Sequence, residues 1–306
     1  MSCTKNTTTA TQANLAKSSL SDVYDKEELI HTGFPYTINK PDETITLPNK
    51  LKEISGLGID PTGKYLYAIQ DEEGDLFIIN RETGKIKDRI KFHKAGDYEG
   101  VEFVDDRAYI VKNTGTIYEI HDIGKSTQKR TKHKFNFNKS SDVEGLGYDP
   151  FTNSLLVSCK GKALKGEKAK LKKGIYSINL DSMTMDTLPL YTISLDSVKA
   201  FLHTNTAMEY FDKLVKLFNP SKEFVFGPSG IAVHPKTKEL YIISAVGNVL
   251  VVLNRANEIV HLQKLKKKIH HQPEGIVFDQ AGTLYISNEG GSGKGKIHQF
   301  RYRETN

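Results

Sequence analysis

The chain lacks tryptophan, carries only two cysteines in 306 residues, and has little charge imbalance, with 43 Lys and Arg against 37 Asp and Glu. Two cysteines, Cys3 and Cys159, exclude a disulfide-stapled scaffold and a multi-cysteine zinc site. No apolar run reaches the ~18–20 residues that cross a bilayer as a helix, so no transmembrane helix is expected. What is there is ordinary for a globular protein: 38% hydrophobic and 26% charged residues, which excludes wholesale disorder. The length suits two domains or one long all-β domain. The net charge of +6 sits largely in Lys-rich patches.

Residues 1–33 are polar and rich in Ser and Thr, and read as a flexible tether. Cys3 at its head resembles the mature start of a bacterial lipoprotein, in which such a cysteine carries the lipid. That reading implies a protein of the cell envelope (periplasm or outer membrane), touching the membrane through its anchor only. The alternative is an ordinary tail with an incidental cysteine.

The rest of the chain repeats. A Gly among alternating apolar and small residues is followed by a turn and a Leu-Tyr-like strand, as in Ile54-Ser55-Gly56-Leu57-Gly58-Ile59-Asp60 and then Lys64-Tyr65-Leu66-Tyr67. The shared glycines are Gly56, Gly100, Gly145, Gly230 and Gly275, with steps of 44, 45, 85 and 45. The long step is not a hidden repeat. After Gly145 four strands fit at 144–149, 155–159, 174–180 and 189–195, and Val198, Phe201, Leu202, Met208, Phe211, Leu214, Val215 and Phe218 then recur at helical spacing. The extra length is therefore a helical insertion at 196–218 between blades 3 and 4, plus a Lys-rich loop at 161–173.

A period in the low forties, four short strands and Asp-Pro or Gly turns define a propeller blade. The last repeat has only three strands, at 274–278, 283–288 and 296–302, and Glu43–Leu47 is expected to supply its outer one. Such closure pairs the chain ends and removes exposed sheet edges. The fold expected over 34–303 is all-β, a five-bladed β-propeller closed by an N-terminal strand. Six blades are the alternative if 34–48 forms more than one strand.

The Asp-x-Glu-Gly and Pro-Glu-Gly units, the Leu-Tyr strands and the tether resemble the SdiA-regulated (YjiK-like) family of bacterial propellers over about residues 36–303, and more distantly NHL-repeat propellers. The resemblance implies a bound calcium ion.

Aligned on their glycines, the repeats place Ser55, Glu99, Glu144, Ser229 and Glu274 in one ring around the channel. Three carboxylates sharing such a space need a cation, protons or basic partners. Calcium, a hard cation taking roughly 6–8 oxygens, suits them. The ends of the second strands add Asp71, Asn113, Asn288 and Glu289 at the same mouth, and Asp97 and Asp142 stand two residues before their Glu. This oxygen-rich set lacks the His and Cys that select zinc. The alternative is structural: a Glu before a Gly that hydrogen-bonds the neighbouring blade and staples the ring.

The function expected is therefore a calcium-binding propeller that binds or scaffolds an unidentified envelope ligand or small molecule. The other reading is a calcium-dependent hydrolase of lactones, esters or phosphoesters, because Glu-Gly on an inner strand resembles gluconolactonases and paraoxonases. Its acid or base would be Asp71, Glu289 or His93, and no motif fixes a catalytic residue. A solvated loop is the reading for Lys162, Lys165, Lys168, Lys170, Lys172 and Lys173, and no nucleic-acid partner is expected. His270-His271 reads as a surface pair, and Cys159 as a small buried residue.

Overall fold

The computed structural model describes residues 33–137, 139–161, 171–219 and 224–304. Cys3 and the tether lie outside the described residues, as do Lys162, Lys165, Lys168 and Lys170.

After β1 (Glu43–Thr46) each repeat forms an antiparallel sheet. Blade 1 is β2 (Ile54–Ile59), β3 (Tyr65–Gln70), β4 (Asp75–Asn80) and β5 (Ile86–Lys91). Blade 2 is β6 (Tyr98–Val104), β7 (Arg107–Lys112), β8 (Ile117–His121) and β9 (Lys129–His133). Blade 3 is β10 (Val143–Asp149), β11 (Ser154–Cys159), β12 (Lys172–Asn179), β13 (Thr184–Met185) and β14 (Tyr191–Ser194). Helices α1 (Leu195–Thr204) and α2 (Phe211–Leu217) follow. Blade 4 is β15 (Gly227–Val233), β16 (Leu240–Val246), β17 (Val249–Leu253) and β18 (Ile259–Lys264). Blade 5 is β19 (Pro273–Phe278), β20 (Leu284–Asn288) and β21 (Lys296–Phe300), completed by β1 in the register Glu43↔Gln299 to Thr46↔Lys296. The ring has five blades, and the six-bladed alternative falls away.

Local chemistry makes the turns. The carboxylate of Asp60 accepts from Tyr65 N at 2.8 Å and from the Thr62 hydroxyl, and Gly63 N bonds Asp60 O at 2.8 Å. Gly63 sits at φ +68°, which L side chains rarely adopt. Asp149 and Asp279 build the corresponding turns in blades 3 and 5. Each of these two also reaches the next blade. Asp149 pairs with Arg255 through two hydrogen bonds, and Asp279 meets Arg81 at 3.3 Å.

The core lies between consecutive blades. Val101 and Ile110 of blade 2 pack on Ile69 and Leu76 of blade 1, and Leu57 and Phe77 of blade 1 meet Val277 and Ile297 of blade 5. Ridges this close leave no room at the shared glycines. A Cβ on Gly275 would stand 2.6 Å from Leu57 Cβ, and one on Gly100 would stand 2.7 Å from Leu146 Cβ.

Two expectations change in blade 3. Its outer edge is split, with β14 pairing the first half of β12 and β13 the second half. β12 also starts at Lys172, so Lys172 and Lys173 belong to a strand and not to the loop. The insertion is two helices, and not one continuous stretch. Ser194 caps α1 reciprocally with Ser197. Val198, Leu202 and Leu214 are buried in one apolar cluster with residues of blades 3 and 4, and α1 packs on the outer strands β14 and β18, so the insertion docks on the propeller's side.

A strap leads into β1. His234 Nε2–H donates to the Tyr36 hydroxyl (2.8 Å), because Nδ1 already accepts from Lys236 N and Thr237 N; that hydroxyl in turn donates to Gly282 O. His270 Nε2–H donates to Ile38 O at 2.8 Å, and His298 Nε2–H donates to Ile269 O at 2.9 Å. His270 is therefore fully buried, contrary to the surface pair read from the sequence, while His271 is exposed.

Candidate ligand-binding mouth of the channel

The five innermost strands β2, β6, β10, β15 and β19 adjoin one another around the axis. Each carries a register shift at the same place, spanning Ser55, Glu99, Glu144, Ser229 and Glu274. A bulge inserts one unpaired residue and re-aims its side chain. The residue before every shared glycine is thus the bulged one.

The five positions then divide by chemistry. The two serines staple. Ser55 donates to Tyr98 O of blade 2 at 2.7 Å, and Ser229 to Pro273 O of blade 5 at 2.6 Å. Glu144 takes a basic partner, Lys160 Nζ, at 3.0 Å. Glu99 has no basic partner in the ring: burial, then the charge of Glu144 and the neighbouring Asp97 carboxyl, push its carboxyl well above the usual carboxylate range. Asn113 Nδ2 donates to Asp97 on the other side. Glu274 is 8% exposed, and burial, followed by Glu144 and Glu289, pushes it up to about 8. So a basic group answers one carboxylate of the ring, while burial favours the protonated form of the other two.

The second strands end where the first begin, in the pairs Ile54↔Gln70, Tyr98↔Lys112 and Pro273↔Asn288. Asp71, Asn113, Asn288 and Glu289 therefore reach the same mouth. Burial, then the charges of Glu53, Asp71 and Glu144, lift Glu289 to about 7. Asp71 is raised too, first by burial and then by acidic neighbours that include Glu53 and Asp97. The Gln272 amide lies beside both Glu274 and Glu289 and pulls each back down. Asp71 Oδ1 and Asn288 Oδ1 are buried with no hydrogen-bond partner. Buried polar atoms rarely go unpaired, and in a native site such atoms mark a ligand, ion or water position.

The donor chemistry fits a hard cation: carboxylate and amide oxygens, two of them unengaged, with no thiol in the set. The side chains as they stand do not pre-form the site. Among the described residues no three His, Cys, Asp or Glu groups come close enough together to hold a metal ion.

His93 stands apart from these acids. Its Nδ1 accepts from Arg130 on outermost β9 at 2.8 Å, and its ring packs on Tyr118 of β8. Cys159 is buried, and burial pushes its thiol up to about 12, which leaves no thiolate at neutral pH. Lys160 and Gln272 were missed in the sequence. Lys160 stood in the aligned second-strand position, beside a search confined to oxygen donors.

Architecture and mouth define a class: a five-bladed β-propeller with an acidic channel entrance. The SdiA-regulated family profile matches residues 37–291, and the chain belongs to that family. No curated protein sequence matches it. Among solved structures it is similar to glutaminyl cyclase of Myxococcus xanthus, with a TM-score of 0.54 at 11% identity, over 87% of this chain and 97% of that one. A luciferin-regenerating enzyme matches at a TM-score of 0.47 and 11% identity, over 86% of this chain and 95% of that one. A chain of a nidogen/laminin complex matches at 0.46 and 14%, over 77% and 72%. At these identities the likeness is one of fold alone.

Proposed function

We propose that the protein is a calcium-dependent binding propeller of the bacterial cell envelope, tethered through Cys3, that captures an unidentified small envelope ligand at the acidic mouth. The observation that carries the reading is the pair of unpartnered buried oxygens, Asp71 Oδ1 and Asn288 Oδ1, within a group of acids that are desolvated and short of counter-charge. Asp71, Glu99, Glu274, Asn288 and Glu289 would hold the ion, with Glu144 released to it from Lys160 and Asn113 steadying Asp97. Calcium would supply positive charge and open positions for ligand oxygens. The chain's own residues supply a rigid rim, because each bulge is fixed between paired strands. The envelope assignment rests on the Ser/Thr-rich segment behind Cys3. His93 lies away from the acids, so a hydrolase reading of the same mouth would rest on Asp71 or Glu289.

The test is a thermal melt of the full chain titrated with calcium, with magnesium as control. At a calcium concentration 100-fold above Kd the gain is about 2.7 kcal/mol, roughly 5–11 °C for a domain of this size. The gain is expected to grow from pH 7 to 9. Ion binding must displace protons from Glu99 and Glu274, whose carboxyls burial pushes well above the usual carboxylate range. The Glu99→Gln, Glu274→Gln double variant is expected to lose the calcium response. A melting temperature indifferent to millimolar calcium at both pH values overturns the reading.

A further inference from the structure

The opposite end of the channel holds a cavity of about 480 Å³, to which all five blades contribute. It lies where the innermost strands run into their turns. Its apolar wall includes Phe103, Val233, Val277 and Phe278. Its one buried acid is Glu102, on β6.

Glu102 breaks the pattern of its position. Counting two residues on from each shared glycine gives Gly58, Glu102, Gly147, Ala232 and Val277. At Gly58 and Gly147 a Cβ would meet the next blade's carbonyl, 3.3 Å from Val101 O and 2.5 Å from Ile231 O. Only blade 2 places a charged side chain there, and it is 8% exposed. Its oxygens accept from Phe103 N at 2.9 Å and from Tyr148 N of blade 3 at 3.1 Å. Two neutral donors do not offset a buried carboxylate charge. Burial pushes the group up to about 7, and among the described residues no Lys, Arg or His opposes it. The surrounding charge does not help. Asp60, Asp105 and Asp279 also line the cavity, while the single lining cation, Arg81, is ion-paired to Asp279.

We propose that this cavity binds a small ammonium compound with an apolar body, its charged nitrogen against Glu102 and its body against Phe103 and Phe278. An ammonium has the donors that the remaining lone pairs of Glu102 can accept, and it brings the missing positive charge. The volume falls in the range of small-molecule pockets, roughly 300–1,000 Å³, with a mostly apolar lining and a few placed polar groups. This site is distinct from the acidic mouth, which lies at the other end of the same strands.

The experiment is ligand-observed NMR and calorimetry on the full chain with benzylamine, phenethylamine, cyclohexylamine and hexylamine, each beside the alcohol of the same skeleton. At least one amine is expected to bind, and at least ten-fold more tightly than its alcohol. Glu102→Gln is expected to remove that ten-fold preference, and Ala232→Phe, which fills the cavity from blade 4, to abolish binding altogether. Should Glu102→Gln fail to fold, Ala232→Phe with the amine-to-alcohol ratio of the wild type still decides. Each of these results overturns the proposal: no amine binding at millimolar concentration, equal binding of amine and alcohol, an amine preference that survives Glu102→Gln, or amine binding that survives Ala232→Phe. Loss of amine binding in Glu99→Gln, Glu274→Gln alone would also overturn it, by placing the amine at the acidic mouth.

Discussion

Acid should loosen the seam that closes the ring, and His270 sets how much. Its Nε2–H is committed to Ile38 O, so Nδ1 carries the lone pair, and Nδ1 is buried with no partner. Protonation would create a buried cation with an unbonded N–H, in a site walled by the rings of Phe300 and His298. Burial accordingly lowers the imidazole from 6.5 to about 4. The sign follows from linkage. The unfolded chain takes up this proton below about pH 6.5 and the folded chain only near pH 4, so the contribution is fully present above 6.5 and is lost on the way down to 4. The gap, at 1.36 kcal/mol per pH unit, is worth about 3 kcal/mol. For a domain of this size that is roughly 6–12 °C in melting temperature. The perturbation is His270→Gln, whose amide keeps a donor for Ile38 O and does not titrate. Melting curves of both proteins between pH 7 and pH 4 are the assay, and the difference in slope is the readout. The raised acids of the mouth, which act in the opposite sense, are common to both proteins and cancel, and repeating the comparison in a His298→Gln background removes the neighbouring imidazole, which burial also lowers. Parallel curves for wild type and variant refute the reasoning.

Two further predictions concern the joints between blades. Asp149 is fully buried and holds Arg255 by two hydrogen bonds, so Asp149→Ala strands a buried guanidinium and is expected to cost about 3–5 kcal/mol in denaturant unfolding. Gly275→Ala forces a Cβ to 2.6 Å from Leu57 Cβ and 2.7 Å from Leu57 N, across the blade 5–blade 1 junction. Overpacking of this kind is expected to cost about 1–3 kcal/mol, measured as a fall in melting temperature with the native circular-dichroism spectrum retained.

The blade count was legible because each sheet solves the same problem with the same residues. A glycine is needed where the next blade's backbone passes close, and in blades 1, 3 and 5 an Asp four residues on builds the turn after the strand, so in three of the five repeats the period is written twice. The ring of Ser55, Glu99, Glu144, Ser229 and Glu274 followed from that alignment. Its internal division did not. Strict alternation assigns side chains to faces and contains no bulge, and whether an acid meets a proton or a lysine depends on neighbours some 16 residues away, as with Glu144 and Lys160. The strap was equally hidden. Tyr36 and Ile38 carry no periodicity, and their partners His234, Gly282 and His270 lie about 200 residues or more away. Glu102 was invisible because one acid in a strand reads as solvated until its exposure is known.

The pairing of β1 with β21 also sets a clock. Residues 43–46 are made about 250 residues before their partners, 296–299. At roughly 5–20 residues per second the first strand waits on the order of 10–50 s for the last. Over that interval blades 1 to 4 are made in turn but the ring cannot shut, and the free face of blade 1 stays open to other chains. Closure is therefore a late, long-range event whose loop entropy is met only after everything else is built. A chain truncated before residue 296 would lack β21, leaving β1 no partner and the ring no means of closing.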